Sequence, residues 1–110
     1  MRQRDVWLAD LDPATGSEQA GRRPVVIISG DTLNSSLPIV IAVPLTTKLK
    51  GYPACIRIAP TAGNGLIKDT EAVAFQVRAI SKKRLHKQLG SITEHQLTEV
   101  IKALVLVLMP

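Results

Sequence analysis

The sequence predicts a mainly β (α+β) domain: an antiparallel sheet or small barrel of five to seven short strands, ending in one C-terminal helix. Three observations carry this. Apolar residues fall in short alternating or β-branched runs separated by Gly, Pro and Asn. From Thr93 onward the apolar period becomes helical. The 110 residues, 45% of them hydrophobic, suffice for one domain spanning 1–110 with a core that needs no staples.

The elements follow in order. Residues 5–10 alternate, Val6 and Leu8 against Trp7, and read as a first strand. Residues 11–23 are polar and contain Pro13, Gly16 and Gly21, a long connection of the kind that often carries function. Residues 24–29 (PVVIIS) form a buried strand. Residues 30–38 are turn-rich, with room for one helical turn after Asp31. Residues 39–45 (IVIAVPL) form another strand, with Pro44 marking an edge or its end. A second polar loop, 46–53, precedes the alternating run 54–59, where Cys55 and Arg57 oppose Ile56 and Ile58. Asn64-Gly65 signals a tight turn. Residues 72–80 hold one or two strands, with Gln76 and Arg78 on one face by period 2, and 84–90 a last short strand.

Thr93-x-x-Gln96 is a capping box, followed by Leu97, Val100, Ile101, Leu104, Val105 and Leu108 at helical spacing. Leu106 and Val107 lie off that stripe, so the helix ends apolar nearly all round. It is either a deeply buried terminal helix or one side of a subunit interface.

Charge narrows the partners. Fourteen Lys and Arg against nine Asp and Glu give +5, which favours anionic partners such as nucleic acid, although solubility alone is the plain alternative. Aromatic residues are only 3%, too few for a wide base-stacking platform. One cysteine, Cys55, excludes an internal disulfide and a four-cysteine zinc site. Cys55 has no adjacent base and reads as core rather than nucleophile. The amino end lacks an apolar signal run, and the longest apolar run, 103–109, is too short to span a membrane. A soluble, cytoplasmic protein with no membrane attachment is expected.

Residues 16–23 (GSEQAGRR) have the glycine spacing of a P-loop. They lack its Lys-Ser/Thr pair, and a strand follows rather than a helix, so nucleotide hydrolysis is not expected. The loop does bring a carboxylate, Glu18, an amide, Gln19, and two guanidinium groups, Arg22 and Arg23, within six residues. Arginine grips phosphate with paired hydrogen bonds, and a carboxylate can accept a proton. The plain alternative is a surface loop with an incidental ion pair. Thr46-Thr47 ends a strand just before Lys48 and Lys50, hydroxyls and ammonium groups suited to a phosphate backbone, or merely a turn beside solvated lysines. His86 lies in a basic run with Lys82, Lys83, Arg84 and Lys87, and His95 in the first helical turn. Neither has metal-ligand spacing, and both read as surface residues. Asp12-Pro13 opens a turn more naturally than it binds a divalent ion.

These segments together resemble the MazF/PemK toxins. Residues 5–13 (DVWLADLDP) are similar to the family's opening strand, and 16–26 (GSEQAGRRPVV) to its most specific motif. VPLTT followed by KGYP resembles the second motif, and Gly65-Leu66, Asp69-Thr70 and QVRAI the third. The likeness runs in order along essentially the whole chain, terminal helix included. It implies an SH3-like antiparallel β-barrel with a C-terminal helix, paired as a homodimer. It also implies a toxin that cuts single-stranded RNA (mRNA) at short sequences and halts translation and growth. The RNA's own 2′-hydroxyl attacks, leaving a 2′,3′-cyclic phosphate or 3′-phosphate and a 5′-hydroxyl, with no metal or other cofactor. The implied protein partner is a MazE-like antitoxin with an acidic, flexible segment that competes with RNA for the groove.

Carried onto this chain, the resemblance makes Arg23 the catalytic arginine, Glu18 the general base and Thr46 the hydroxyl donor to phosphate. Gln19, Arg22, Thr47, Lys48 and Gln76 line the RNA groove. Phe75 departs from the pattern, because several relatives have an acid just before the Gln of the third motif, and its loss puts the proton transfer on Glu18. An efficient carboxylate base needs burial to raise its pKa toward neutrality, and a nearby Arg23 opposes that rise. Two rivals share the architecture: a CcdB-type toxin that binds gyrase, and a non-catalytic RNA-binding module. The first lacks the Glu18, Arg23 and Thr46 set, and the second leaves RNA intact while binding it with steep salt dependence.

Overall fold

The computed structural model describes residues 1–11 and 21–109. Seven strands run β1 (Asp5–Asp10), β2 (Arg22–Ile27), β3 (Ile39–Thr46), β4 (Cys55–Ile58), β5 (Thr70–Val73), β6 (Arg78–Ser81) and β7 (Leu85–Ser91). Two α-helices, α1 (Asp31–Ser36) and α2 (Glu94–Leu108), and two 3₁₀ turns, Ala74–Gln76 and Lys82–Arg84, complete the described residues. The antiparallel sheet has the order β4-β5-β3-β2-β1-β7, and β6 also pairs with β3.

Strands β4 and β7 end the hydrogen-bonded path, so the barrel is not closed by strand pairing among the described residues. The gap is bridged by a loop instead. Ser91 N–H donates to the Gly63 carbonyl at 2.8 Å, and a Cβ on Gly90 would lie only 2.2 Å from that oxygen. A Cβ on Gly65 would meet the Leu89 carbonyl at the same distance. Loop and strand therefore approach backbone to backbone, which only glycine allows.

Strand β3 is the axis of the fold. Its first half pairs with β6 over Ile39–Ala42, and its end pairs with β5 at Leu45 and Thr46. Pro44 lies inside this central strand and not at an edge, which corrects the sequence expectation. Ile28 N–H donates to the Ile41 carbonyl across β2–β3, so alternation turns the Pro44 nitrogen toward the opposite side. There β3 changes partners from β6 to β5, and the missing N–H breaks no ladder bond.

The two sides of the sheet carry two cores. Val6, Val26, Val43, Leu45, Ile58, Ala72 and Ile92 gather with Val100 of α2. Ala9, Leu11, Val25, Ile27, Val40, Ala42, Ile80 and Leu85 form the other. Strands buried on both sides read as unbroken apolar runs, which is why 24–29 shows no alternation.

Three further expectations change. Arg22 and Arg23 belong to β2 and not to the preceding loop. The N-cap of α1 is Gly30, and Asp31 in the first turn accepts from the Gln3 amide at 2.8 Å. Gln76 lies in a 3₁₀ turn (Ala74–Gln76) between β5 and β6, so the period-2 argument linking it to Arg78 does not apply. The capping box of α2 forms as read, with Thr93 and Gln96 exchanging hydrogen bonds. Only Val100 and Ala103 of that helix are buried, with Leu97 half-buried against the first core. Among the described residues no helix is long and apolar enough to cross a membrane.

Candidate active site

The strand register assembles a row of side chains across the sheet. Ala9 of β1 pairs with Arg23 of β2. Strands β2 and β3 pair through Val25↔Pro44, and continuing that register by two residues sets Arg23 across from Thr46. Thr46 pairs with Glu71 of β5, and Glu71 with Arg57 of β4. Directly opposed residues share a face of the sheet. Arg23, Thr46, Glu71 and Arg57 therefore stand in one line, at the rim of the core that holds Val25, Ile27 and Ala42.

Thr46 is 5% exposed, closing the apolar strand. Its Oγ1 accepts from the Lys48 amide at 3.1 Å, which fixes the rotor and leaves the hydroxyl hydrogen available to donate. Thr47, Lys48 and Lys50 follow in the exposed loop 47–53. Arg23 is half-buried, whereas Arg22, across from Asp10, is exposed. Gln76 is half-buried in its 3₁₀ turn, which packs against β3 where the partner strands change. The strand register thus sets Arg23 and Thr46 on adjacent strands and the same face, with Thr47 and Lys48 following Thr46 in the chain. Glu18 and Gln19 lie outside the described residues. Phe75 is exposed next to Gln76.

Sequence reading passed over Glu71. It is 3% exposed, and its carboxylate accepts from the backbone amides of Lys50 at 2.8 Å and Gly51 at 2.9 Å. The signal was present as a lone charge inside the apolar run TEAVA. From sequence Arg57 reads only as a member of an alternating strand, on the side of Cys55.

The two histidines fall on the surface as expected, whereas Cys55, read from sequence as core, belongs to neither core. His86 is exposed on β7, and His95 is exposed in the first turn of α2. Cys55 is half-buried; burial first, and then the Glu71 carboxylate, push its thiol up, so it is no nucleophile near neutral pH.

Comparison with known proteins agrees with the geometry. The family of PemK-like, MazF-like toxins of type II toxin–antitoxin systems matches residues 2–108. Endoribonuclease MazF9 of Mycobacterium tuberculosis is 35% identical over 110 residues, 94% of this chain and 92% of that protein. A crystal structure of MazF from Deinococcus radiodurans superposes with a TM-score of 0.80 at 29% identity, covering 97% of this chain and 94% of that one. A MazE–MazF structure from the same organism gives 0.77 at 26% identity, covering 98% and 95%. With a family match along nearly its whole length and a curated relative above 30% identity, this chain belongs to the PemK-like, MazF-like toxin family of type II toxin–antitoxin systems.

Proposed function

We propose that this protein, as one domain over 1–110, is an endoribonuclease toxin that cuts single-stranded RNA without a metal. The observation that carries the reading is the strand register, which continued from Val25↔Pro44 sets Arg23 and Thr46 across from each other on adjacent strands, beside a loop bearing Thr47, Lys48 and Lys50. A phosphodiester laid across that row meets a permanent cation and a hydroxyl donor at its non-bridging oxygens. Arg23 stabilises the charge that builds on the phosphoryl oxygens as the RNA 2′-oxygen attacks phosphorus. The bond from phosphorus to the 5′-oxygen breaks, the 2′-proton passes to the Glu18 carboxylate, and the leaving 5′-oxygen takes up a proton from solvent water. The products are a 2′,3′-cyclic phosphate and a 5′-hydroxyl. Gln19, Arg22 and Gln76 bind RNA alongside, and the site of action is the cytoplasm, where mRNA is.

A homodimer fits the outer side of α2, where Val105 is 52% and Leu108 81% exposed, with Ile101 and Leu106 beside them. So extended an apolar face on a terminal helix is covered by a second copy. The named relatives include a toxin solved with MazE, and an acidic antitoxin segment suits the same cationic groove. The test is incubation of a mixed RNA with wild type and Arg23→Ala in excess EDTA, with mapping of cut sites and end chemistry. Wild type cuts and leaves 5′-hydroxyl ends, and Arg23→Ala loses about 10²–10³ in rate while staying folded. Undiminished cutting by Arg23→Ala removes Arg23 from the mechanism.

A further inference from the structure

Glu71 is the most deeply buried carboxylate among the described residues. A buried charge needs compensation. Here it comes from two consecutive backbone amides, those of Lys50 and Gly51, twenty or so residues upstream in the chain. Gly51 has φ +64°, the left-handed conformation that turns neighbouring N–H groups toward one point and makes an anion-holding nest. The occupant of this nest is the protein's own carboxylate. The loop 47–53 is thereby fastened at both sides. Pairing of Thr46 with Glu71 holds its start, and the Glu71 carboxylate holds its middle.

We propose that Glu71 is a positioning residue for the RNA groove: its carboxylate holds loop 47–53 in the form that presents Thr47 and Lys48 beside Thr46. This rests on the reading of that groove as the RNA site. Thr47, Lys48 and Lys50 are exposed and Gly51 has open space around it, so packing does not hold the loop. Without the carboxylate, only the Lys48 amide on Thr46 and the Cys55 amide on the Tyr52 carbonyl tie the loop, RNA binding has to order its middle, and affinity falls by that cost. Glutamine at this position offers one acceptor oxygen and sets an NH₂ group against the other amide. Half the fastening is lost with little change in volume.

The experiment uses the full chain as wild type, Glu71→Gln and Glu71→Asp. Steady-state cleavage of a short single-stranded RNA with a mapped site is measured in EDTA. Amide exchange at Lys50 and Gly51 is followed by NMR in wild type and Glu71→Gln. In Glu71→Gln, KM is expected to rise about tenfold with kcat within about twofold, as lost charge-assisted hydrogen bonds weaken binding. Exchange at Lys50 and Gly51 accelerates while Val26 and Val43 in the core stay protected. A general loss of fold gives a different pattern, since it lowers the active fraction and hence apparent kcat while leaving KM alone. Glu71→Asp keeps the charge but draws the carboxylate back by one methylene from the Lys50 and Gly51 amides, and carries the test if Glu71→Gln does not fold. It raises KM in the same way. A KM indifferent to both variants, or a fall in kcat alone, overturns the positioning role while RNA cleavage by wild type stands. Wild type that leaves RNA intact removes the RNA-groove reading and this inference with it.

Discussion

Two loops of this domain are each held by one buried polar side chain, and the manner of holding differs. Asn64, 1% exposed, sits inside its own loop. Its Oδ1 accepts from the amides of Thr61 and Leu66, both at 3.0 Å, and its Nδ2 donates to the Ala59 carbonyl at 2.8 Å. The arrangement is local, neutral and complete. Loop 47–53 is held from another strand by a charged group that takes two amides. The first loop is wedged against β7 with no space for a methyl group at Gly65 or Gly90, whereas Gly51 in the second has nothing within 4 Å. A loop that closes the barrel is built as part of the core. Loop 47–53 stays open and is tied by hydrogen bonds alone, to the Thr46 hydroxyl, the Glu71 carboxylate and the Cys55 amide, leaving its outer side chains accessible.

The largest expected effect breaks the closing loop. Gly90→Ala places a Cβ 2.2 Å from the Gly63 carbonyl oxygen and 2.7 Å from the Asn64 carbonyl carbon, both backbone atoms. Its expected cost is ~3 kcal/mol or more, read from the denaturant midpoint. Gly51→Ala, strained only by its φ of +64°, is the control. It should lose about 1 kcal/mol. Equal losses would end the distinction between a wedged and an open loop.

Next comes Asn64→Ala, which removes three hydrogen bonds at a buried position and should cost about 2 kcal/mol by urea titration. The KM for RNA is expected to stay unchanged, in contrast to Glu71→Gln. A matching rise in KM would show that both loops serve the groove.

The smallest effect reports on Glu71 through its neighbour. Because burial and then the Glu71 carboxylate raise the Cys55 pKa, less thiolate exists at any given pH. Iodoacetamide labelling at pH 8 should run slower than for a free cysteine and quicken as pH rises past the ordinary thiol range. Glu71→Gln removes one cause of the shift and should label faster than wild type at the same pH. Identical labelling curves would mean that the carboxylate does not act on Cys55.

Much of the candidate site is readable along the chain because Arg23 and Thr46-Thr47 lie in short contiguous motifs. Glu71 is not, since its partners are the amides of Lys50 and Gly51, and a backbone amide leaves no mark in composition. Pro44 misled for a related reason. A proline rule addresses one strand, while the place where β3 changes partners is a property of three. The helical stripe runs along α2, yet Ile101, Val105 and Leu108 are exposed, because periodicity marks an apolar face without naming what covers it.

By itself the sequence determined the β-rich fold class, the capping box that starts α2, and the residue types that suit a phosphodiester. Each depends on neighbours within a few positions, where local geometry and propensity act. Tertiary structure alone decided that Arg23, Thr46, Glu71 and Arg57 form one row, and that the barrel closes through glycines rather than a strand pair. Those outcomes depend on strand register and on backbone approach between segments far apart in the chain, which no local pattern encodes.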